Sequence, residues 1–176
     1  MFEVEFRSKF NEETYHRVKE YLDQHAQILG EDDKDAYYYI FTDKLLKVVH
    51  NVSKKTAKIS LKLNRIGEGS VFPEIEFYFP EQEFQTACEL FKLLNLPAKV
   101  MYGPQKRINY LYQDCEIALK FSDAWGYHLE IEQVVDSLDK KSVVEAQIRT
   151  VSAELGISLM TEEELKEFTR KAESKA

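Results

Sequence analysis

Apolar and charged residues alternate along Phe2-Glu3-Val4-Glu5-Phe6-Arg7, so in a strand Glu3, Glu5 and Arg7 share one face and Phe2, Val4 and Phe6 the other. The same period of two returns along the chain. Leu45 to His50 carries one strongly basic residue, Lys47, and Lys58, Ser60, Lys62 and Asn64 alternate with Ile59, Leu61 and Leu63. From Phe72 to Phe79, Glu74, Glu76 and Tyr78 oppose Ile75, Phe77 and Phe79. Gln105 to Tyr112, with Lys106 and Arg107, leads into Cys115 to Ser122, where Glu116, Ala118 and Lys120 oppose Ile117, Leu119 and Phe121. In the last strand His128, Glu130 and Glu132 oppose Tyr127, Leu129 and Ile131. Tyr37 to Thr42 is an aromatic-rich strand whose tyrosines read as packing groups, and Trp125 reads as a seal at one end of the sheet.

Helical spacing separates these strands. Asn11 caps a helix with Tyr15, Val18, Leu22 and Ala26 on one face, and Pro80 opens a second with Phe84, Ala87, Cys88, Phe91 and Leu94. From Asp139 a third carries Val144, Ile148, Val151 and Leu155, and Thr161 to Glu164 has the spacing of a capping box that starts a fourth. Glu31-Asp32-Asp33-Lys34-Asp35 reads as a solvated loop, Lys54 and Lys55 as solvated surface, and Gly67-Glu68-Gly69-Ser70 as a turn too isolated from a helix to cradle phosphate.

The 176 residues suit one domain, 1–176, with a barrel or sheet over 1–135 and helices over 139–172. A formal net charge of -7 argues against general binding to nucleic acid or an acidic membrane. No apolar stretch has the length needed to span a bilayer and no leader pattern opens the sequence, so a cytoplasmic location is expected. Cys88 and Cys115 read as ordinary reduced thiols, and the four histidines lack zinc-ligand spacing.

About eight strands with one charged face, and helices for the apolar side alone, leave two architectures. Either an open antiparallel sheet shows its charges to water, or the sheet closes with its charges inside. The closed form gathers Glu3, Glu5, Glu74, Glu76, Glu116, Glu130 and Glu132 with Arg7, Lys47, Lys58, Lys62, Arg107 and Lys120. So many charges stay enclosed only if ions neutralise them. Hard divalent cations such as Mg²⁺ or Mn²⁺ answer the carboxylates, and a polyanion such as a triphosphate answers the basic groups.

Glu3-Val4-Glu5-Phe6-Arg7 resembles the ExExK signature of the CYTH family, the triphosphate tunnel metalloenzymes. Leu46-Lys47, Ser60-Leu61-Lys62, Glu74-Ile75-Glu76, Lys106-Arg107-Ile108-Asn109-Tyr110 and Gly126-Tyr127-His128-Leu129-Glu130-Ile131-Glu132 follow the family's later strands in order. The resemblance implies an α+β fold, an eight-stranded antiparallel β-barrel with a charged interior covered by α-helices. It implies Mg²⁺ or Mn²⁺ on Glu3, Glu5, Glu74, Glu76, Glu130 and Glu132, and a triphosphate clasped by Arg7, Lys47, Lys58, Lys62, Lys106, Arg107 and Lys120. Arg7, Lys62 and Arg107 are then the catalytic cations. ATP, thiamine triphosphate and tripolyphosphate are the implied substrates, with no nucleic-acid or membrane partner, and a homodimer is compatible. Hydrolysis, cyclisation of ATP to cyclic AMP, and binding without turnover remain three readings. The chain departs from the pattern at Arg7 for lysine, Val49 for a second inward basic residue, Lys120 for an acidic one and His128 for a bulky aromatic.

Overall fold

The computed structural model describes residues 2–63, 71–72 and 74–174; Asn64 and the turn at 67–70 lie outside them. β1 (Phe2–Lys9) is followed by α1 (Glu12–His25), where the Asn11 side chain accepts the Thr14 N–H at 2.9 Å and Glu12 and Glu13 face the positive end of the helix dipole. Next come β2 (Gln27–Glu31), β3 (Lys34–Ile40), β4 (Leu45–Asn51), β5 (Thr56–Lys62), β6 (Val71–Phe72) and β7 (Glu74–Pro80). α2 (Phe84–Leu93) leads to β8 (Lys99–Tyr102), β9 (Lys106–Tyr112), β10 (Cys115–Ser122) and β11 (Gly126–Val135). α3 (Lys141–Glu154) and α4 (Glu162–Ser174) complete the α+β fold, and Thr161 and Glu164 cap α4 reciprocally at 2.8 and 3.2 Å.

The strands form two antiparallel sheets, ordered β2-β9-β10-β11-β1-β6 and β7-β5-β4-β3-β8. Two successive pairs, β2 with β3 and β6 with β7, place one member in each sheet, so the sheets adjoin at both flanks. At one flank Lys34 N–H donates to the Gln105 carbonyl at 2.9 Å and Gln105 N–H returns a bond to Lys34 at 2.7 Å.

Apolar faces turn outward, as the alternation requires. Val4, Ile117, Leu119, Leu129 and Ile131 pack under Val18 and Leu22 of α1 and Val144, Ile148 and Val151 of α3. Each such burial favours folding by about 1.5–3 kcal/mol. On the second sheet Tyr39, Val48 and Ala57 meet Phe84, Ala87, Cys88 and Phe91 of α2. Both cysteines are free. The expectation that helices cover the apolar side fails at β7. The 10-residue α2 reaches Phe79 but leaves Ile75 and Phe77 exposed, because a helix of that length spans only about 15 Å.

The acidic stretch 31–35 is not a solvated loop. Glu31 ends β2, Lys34 opens β3 and Asp32 is 3% exposed, so the stretch carries the chain from one sheet to the other. The strand pattern of β2 is hidden by a bulge: its register with β9 slips between Ile28 and Gly30, and Gly30 has φ of +108°. Among the described residues no helix is long and apolar enough to cross a membrane.

Candidate functional site

The inward faces of the two sheets bound a cavity of about 470 Å³. β1 brings Glu3, Glu5 and Arg7 to it, β4 brings Lys47, β5 brings Lys58 and Lys62, and β7 brings Glu74 and Glu76. Arg107 of β9, Lys120 of β10, and His128, Glu130 and Glu132 of β11 line it as well. Two expected residues do not. Lys106 follows the pleat to the outside, with a side chain 76% exposed and 2.6 Å from Asp33, since its neighbour Arg107 takes the inward position. Glu116 sits beyond the lining, where it accepts hydrogen bonds from Arg107 at 3.3 Å and Asn109 at 2.9 Å.

The charges fall into groups. Lys62 ties the sheets together, its Nζ 3.1 Å from Glu3, 3.2 Å from Glu5 and 3.8 Å from Glu74. Burial opposes that ammonium charge, but Glu5, Glu3 and Glu74 outweigh it and raise the Lys62 pKa. Carboxylate oxygens of Glu3, Glu5 and Glu132 lie within 4.8 Å of one another. Burial first, then repulsion from Glu3 and Glu5, pushes the Glu132 carboxyl up to about 8. An all-oxygen donor set of this kind fits a hard divalent cation.

Glu130 stands between two cations, with Oε1 accepting from Arg7 Nε at 2.8 Å and Oε2 in contact with Lys120. Burial works against its negative charge, yet Lys120, Arg7 and Arg107 hold the carboxyl well below its ordinary range. Across the cavity Glu74 meets Lys47 at 3.3 Å and accepts the Ser60 hydroxyl, while Glu76 contacts Lys58. Lys47 and Lys62 overcome the burial of Glu74 and bring its pKa down to about 2.

Sequence reasoning missed a further group. Asp32 is 2.9 Å from both Lys34 and Lys54 and 3.2 Å from Arg107, and accepts hydrogen bonds from Asn51 and Asn109. Lys54 therefore reaches back to a buried carboxylate rather than simply facing water. Lys34 lines the cavity, and burial together with Arg107 draws its pKa down to about 7 despite Asp32. One signal existed: Lys34 is in phase with Ala36, Tyr38 and Ile40, so the inward face of β3 begins with a cation. Asp32→Asn is expected to lower stability by about 2–3 kcal/mol, since it removes the counter-charge of three cations while keeping hydrogen-bonding capacity. Urea denaturation at pH 7 measures this; an unchanged midpoint contradicts it.

One wall is apolar: Ala36, Tyr38, Ile40, Leu45, Val49 and Met101 line it, so Tyr38 faces inward while Tyr37 and Tyr39 pack beneath α2. Trp125 lines the cavity and meets Phe168 of α4 edge to face at 4.9 Å. Beside it Thr169 is 8% exposed, its hydroxyl without a hydrogen-bond partner among the described residues. His128 Nδ1 donates to the Gly126 carbonyl at 2.8 Å, and burial, then Lys120, lowers its pKa to about 4 and keeps the ring neutral.

No protein-family model and no curated protein matches the sequence. Solved structures do match. The PH1012 protein of Pyrococcus horikoshii OT3 aligns with a TM-score of 0.73 at 23% identity, over 93% of this chain and 99% of that one. A candidate adenylate cyclase from Vibrio parahaemolyticus aligns with a TM-score of 0.71 at 13% identity, over 97% and 98% of the two chains. A candidate adenylyl cyclase from Hippeastrum, described as revealing a dominant triphosphatase activity, aligns at 0.63 and 14% identity, over 90% and 89%. These neighbours are CYTH-like, and what the chain shares with them is the fold.

Proposed function

We propose that the chain is a divalent-metal-dependent triphosphatase that works inside an eight-stranded tunnel. Counting β2/β3 and β6/β7 each as one strand that changes sheet gives a ring of β9, β10, β11, β1, β6/β7, β5, β4 and β2/β3. The observation that carries the reading is the cavity itself, where a carboxylate cluster and a larger set of inward lysines and arginines share one enclosure. A polyphosphate with its counter-cation answers both charge types at once.

Glu3, Glu5 and Glu132 hold the cation, Mg²⁺ or Mn²⁺, which when bound neutralises phosphate oxygens and activates water. Lys62 keeps Glu3 and Glu5 in place from the opposite sheet. Arg7, Lys47, Lys58, Arg107 and Lys120, together with Lys34, bind the phosphates and stabilise the charge that builds on the leaving group. Because each is already fixed by a carboxylate or by strand packing, little reorganisation accompanies the reaction. Glu74 and Glu76 act through Lys47 and Lys58, which they orient. The apolar part of the lining gives room for an organic group on the triphosphate.

Hydrolysis is preferred to cyclisation because the Hippeastrum protein of the same fold is described by a dominant triphosphatase activity. Purified protein incubated with ATP, thiamine triphosphate or tripolyphosphate and Mg²⁺ or Mn²⁺ is expected to release phosphate. Cyclic AMP as the product of ATP assigns a cyclase instead. Absence of turnover with all three overturns the enzyme reading, and calorimetric binding without turnover then assigns a binding module.

A further inference from the structure

The strand at each end of a sheet either resists or invites pairing with a further chain. β2 carries the register slip at Gly30, β8 is four residues long and opens on Lys99, and β6 is two residues long. Bulges, lysine and short length are the ordinary means by which a sheet edge is kept from pairing. The remaining end strand, β7, has none of these. Its seven residues pair with β5 from Thr56↔Pro80 to Lys62↔Glu74 without a slip, and no described residue pairs with its other edge. Its outward side chains Ile75 and Phe77 are 61% and 64% exposed, where α2 leaves the sheet uncovered. Its two charged residues, Glu74 and Glu76, turn toward the cavity and are met by Lys47 and Lys58 of the same chain. An unguarded row of backbone donors and acceptors thus coincides with an uncovered apolar face.

We propose that β7 is a dimer interface, on which β7 of a second copy of this chain pairs antiparallel about a two-fold axis at Phe77. Phe77 is the midpoint of the strand, so this register engages all seven residues. It sets Phe77 against the partner's Phe77, Ile75 against the partner's Phe79, Glu76 against the partner's Tyr78 and Glu74 against the partner's Pro80. No glutamate faces a glutamate. An axis at Glu76 would oppose Glu76 to itself, and one at Ile75 would oppose Glu74 to Glu76; like charges directly across a ladder are destabilising. The self-complementary register is what favours a second copy, since a chain of net charge -7 meets its like here without acid against acid. Facing residues of a ladder point to one side of the sheet, so Ile75, Phe77 and Phe79 of both copies form one apolar cluster over the joined strands. The two five-stranded sheets become one of ten, and an isologous contact of this kind closes on itself. The interface needs no ligand in the cavity and stands apart from the triphosphatase reading.

The test is sedimentation velocity of the full chain over a dilution series, and a reversible dimer is expected. Phe77→Lys sets two ammonium groups face to face on the axis and is expected to raise the dimer dissociation constant by at least about a hundredfold. Val143→Lys, the same kind of change at an exposed site on α3 over the other sheet, is expected to leave it within about threefold. Thiols read the register, and they decide the matter if Phe77→Lys fails to fold. Facing residues have Cα atoms about 4.5–5.5 Å apart, within disulfide reach, so Phe77→Cys in oxidised glutathione is expected to give a covalent dimer. Ile75→Cys, whose two copies would lie about 14 Å apart, is not. The wild type, with Cys88 and Cys115, is the control for both. A monomer at every concentration, a dimer that Phe77→Lys leaves intact, or equal cross-linking from the two cysteine variants overturns the proposal.

Discussion

Lys62→Met is expected to lose about 3–5 kcal/mol of stability at pH 7, because removing one partner of a buried ion pair leaves the other charges uncompensated. Lys62 is 6% exposed and is the ammonium that Glu3 and Glu5 of one sheet and Glu74 of the other converge on. Methionine fills much of the same volume, so the loss is electrostatic rather than a cavity effect. The folded-state pKa of Lys62 is raised above its ordinary value of 10.5. Its contribution is therefore fully present below that value and is lost only as pH rises through the higher folded one, so the wild type benefits across the whole neutral range. Urea denaturation at pH 7 is expected to show a wide gap between the wild type and the variant. Equal midpoints at pH 7 would contradict the role given to Lys62. Turnover is expected to fall by at least about a hundredfold, since Glu3 and Glu5 lose the group that orients them.

Glu132→Gln has the opposite signature. The Glu132 carboxyl is raised from an ordinary 4.5 to about 8 by burial and by Glu3 and Glu5. Below about pH 4.5 both folded and unfolded chains hold this proton, and the group costs nothing. Between there and about pH 8 the unfolded chain ionises while the folded one resists, so wild-type stability falls as pH rises through this window. In chelator the glutamine variant is therefore expected to melt above the wild type at pH 8, with the difference closing toward pH 4.5. Mn²⁺ reverses the order at pH 8. An ion at about a hundred times its dissociation constant stabilises the wild type by about 2.7 kcal/mol, and the variant, short of a ligand, gains little. Thermal melts at the two pH values with and without Mn²⁺ read both effects. Coincident melts in chelator at pH 8 would show that the three carboxylates do not repel one another as their spacing requires.

Both results follow from side chains whose inward direction is legible in the sequence. In a strand the side-chain period is two, a property of a few consecutive residues, so Glu3, Glu5 and Arg7, or Lys58 and Lys62, declare a common face without knowledge of anything distant. The same holds for Asn11 and for Thr161 with Glu164, whose capping bonds span three residues. The pattern is weaker where it is interrupted. Gly30 and the register slip beside it conceal β2, and the two residues of β6 are too few to show a period. Lys106 and Arg107 illustrate the remaining ambiguity: adjacent cations compete for one inward position, and the register with β10 gives it to Arg107.

The amino-acid order thus determined which face of each strand is charged, where the helices begin, and that acids and bases alternate across an apolar backing. Which acid meets which base was decided by the tertiary structure alone. Lys62 and Glu3 are 59 residues apart in sequence, Arg7 and Glu130 are 123 apart, and Asp32 finds Asn109 across 77. Coulombic pairing depends on separation in space, which sheet order and strand register set only after the chain has closed on itself. Two glutamates two positions apart on one strand can therefore share a face and still differ in setting, Glu130 in contact with Arg7 and Lys120 and Glu132 opposite Glu5 across the ladder.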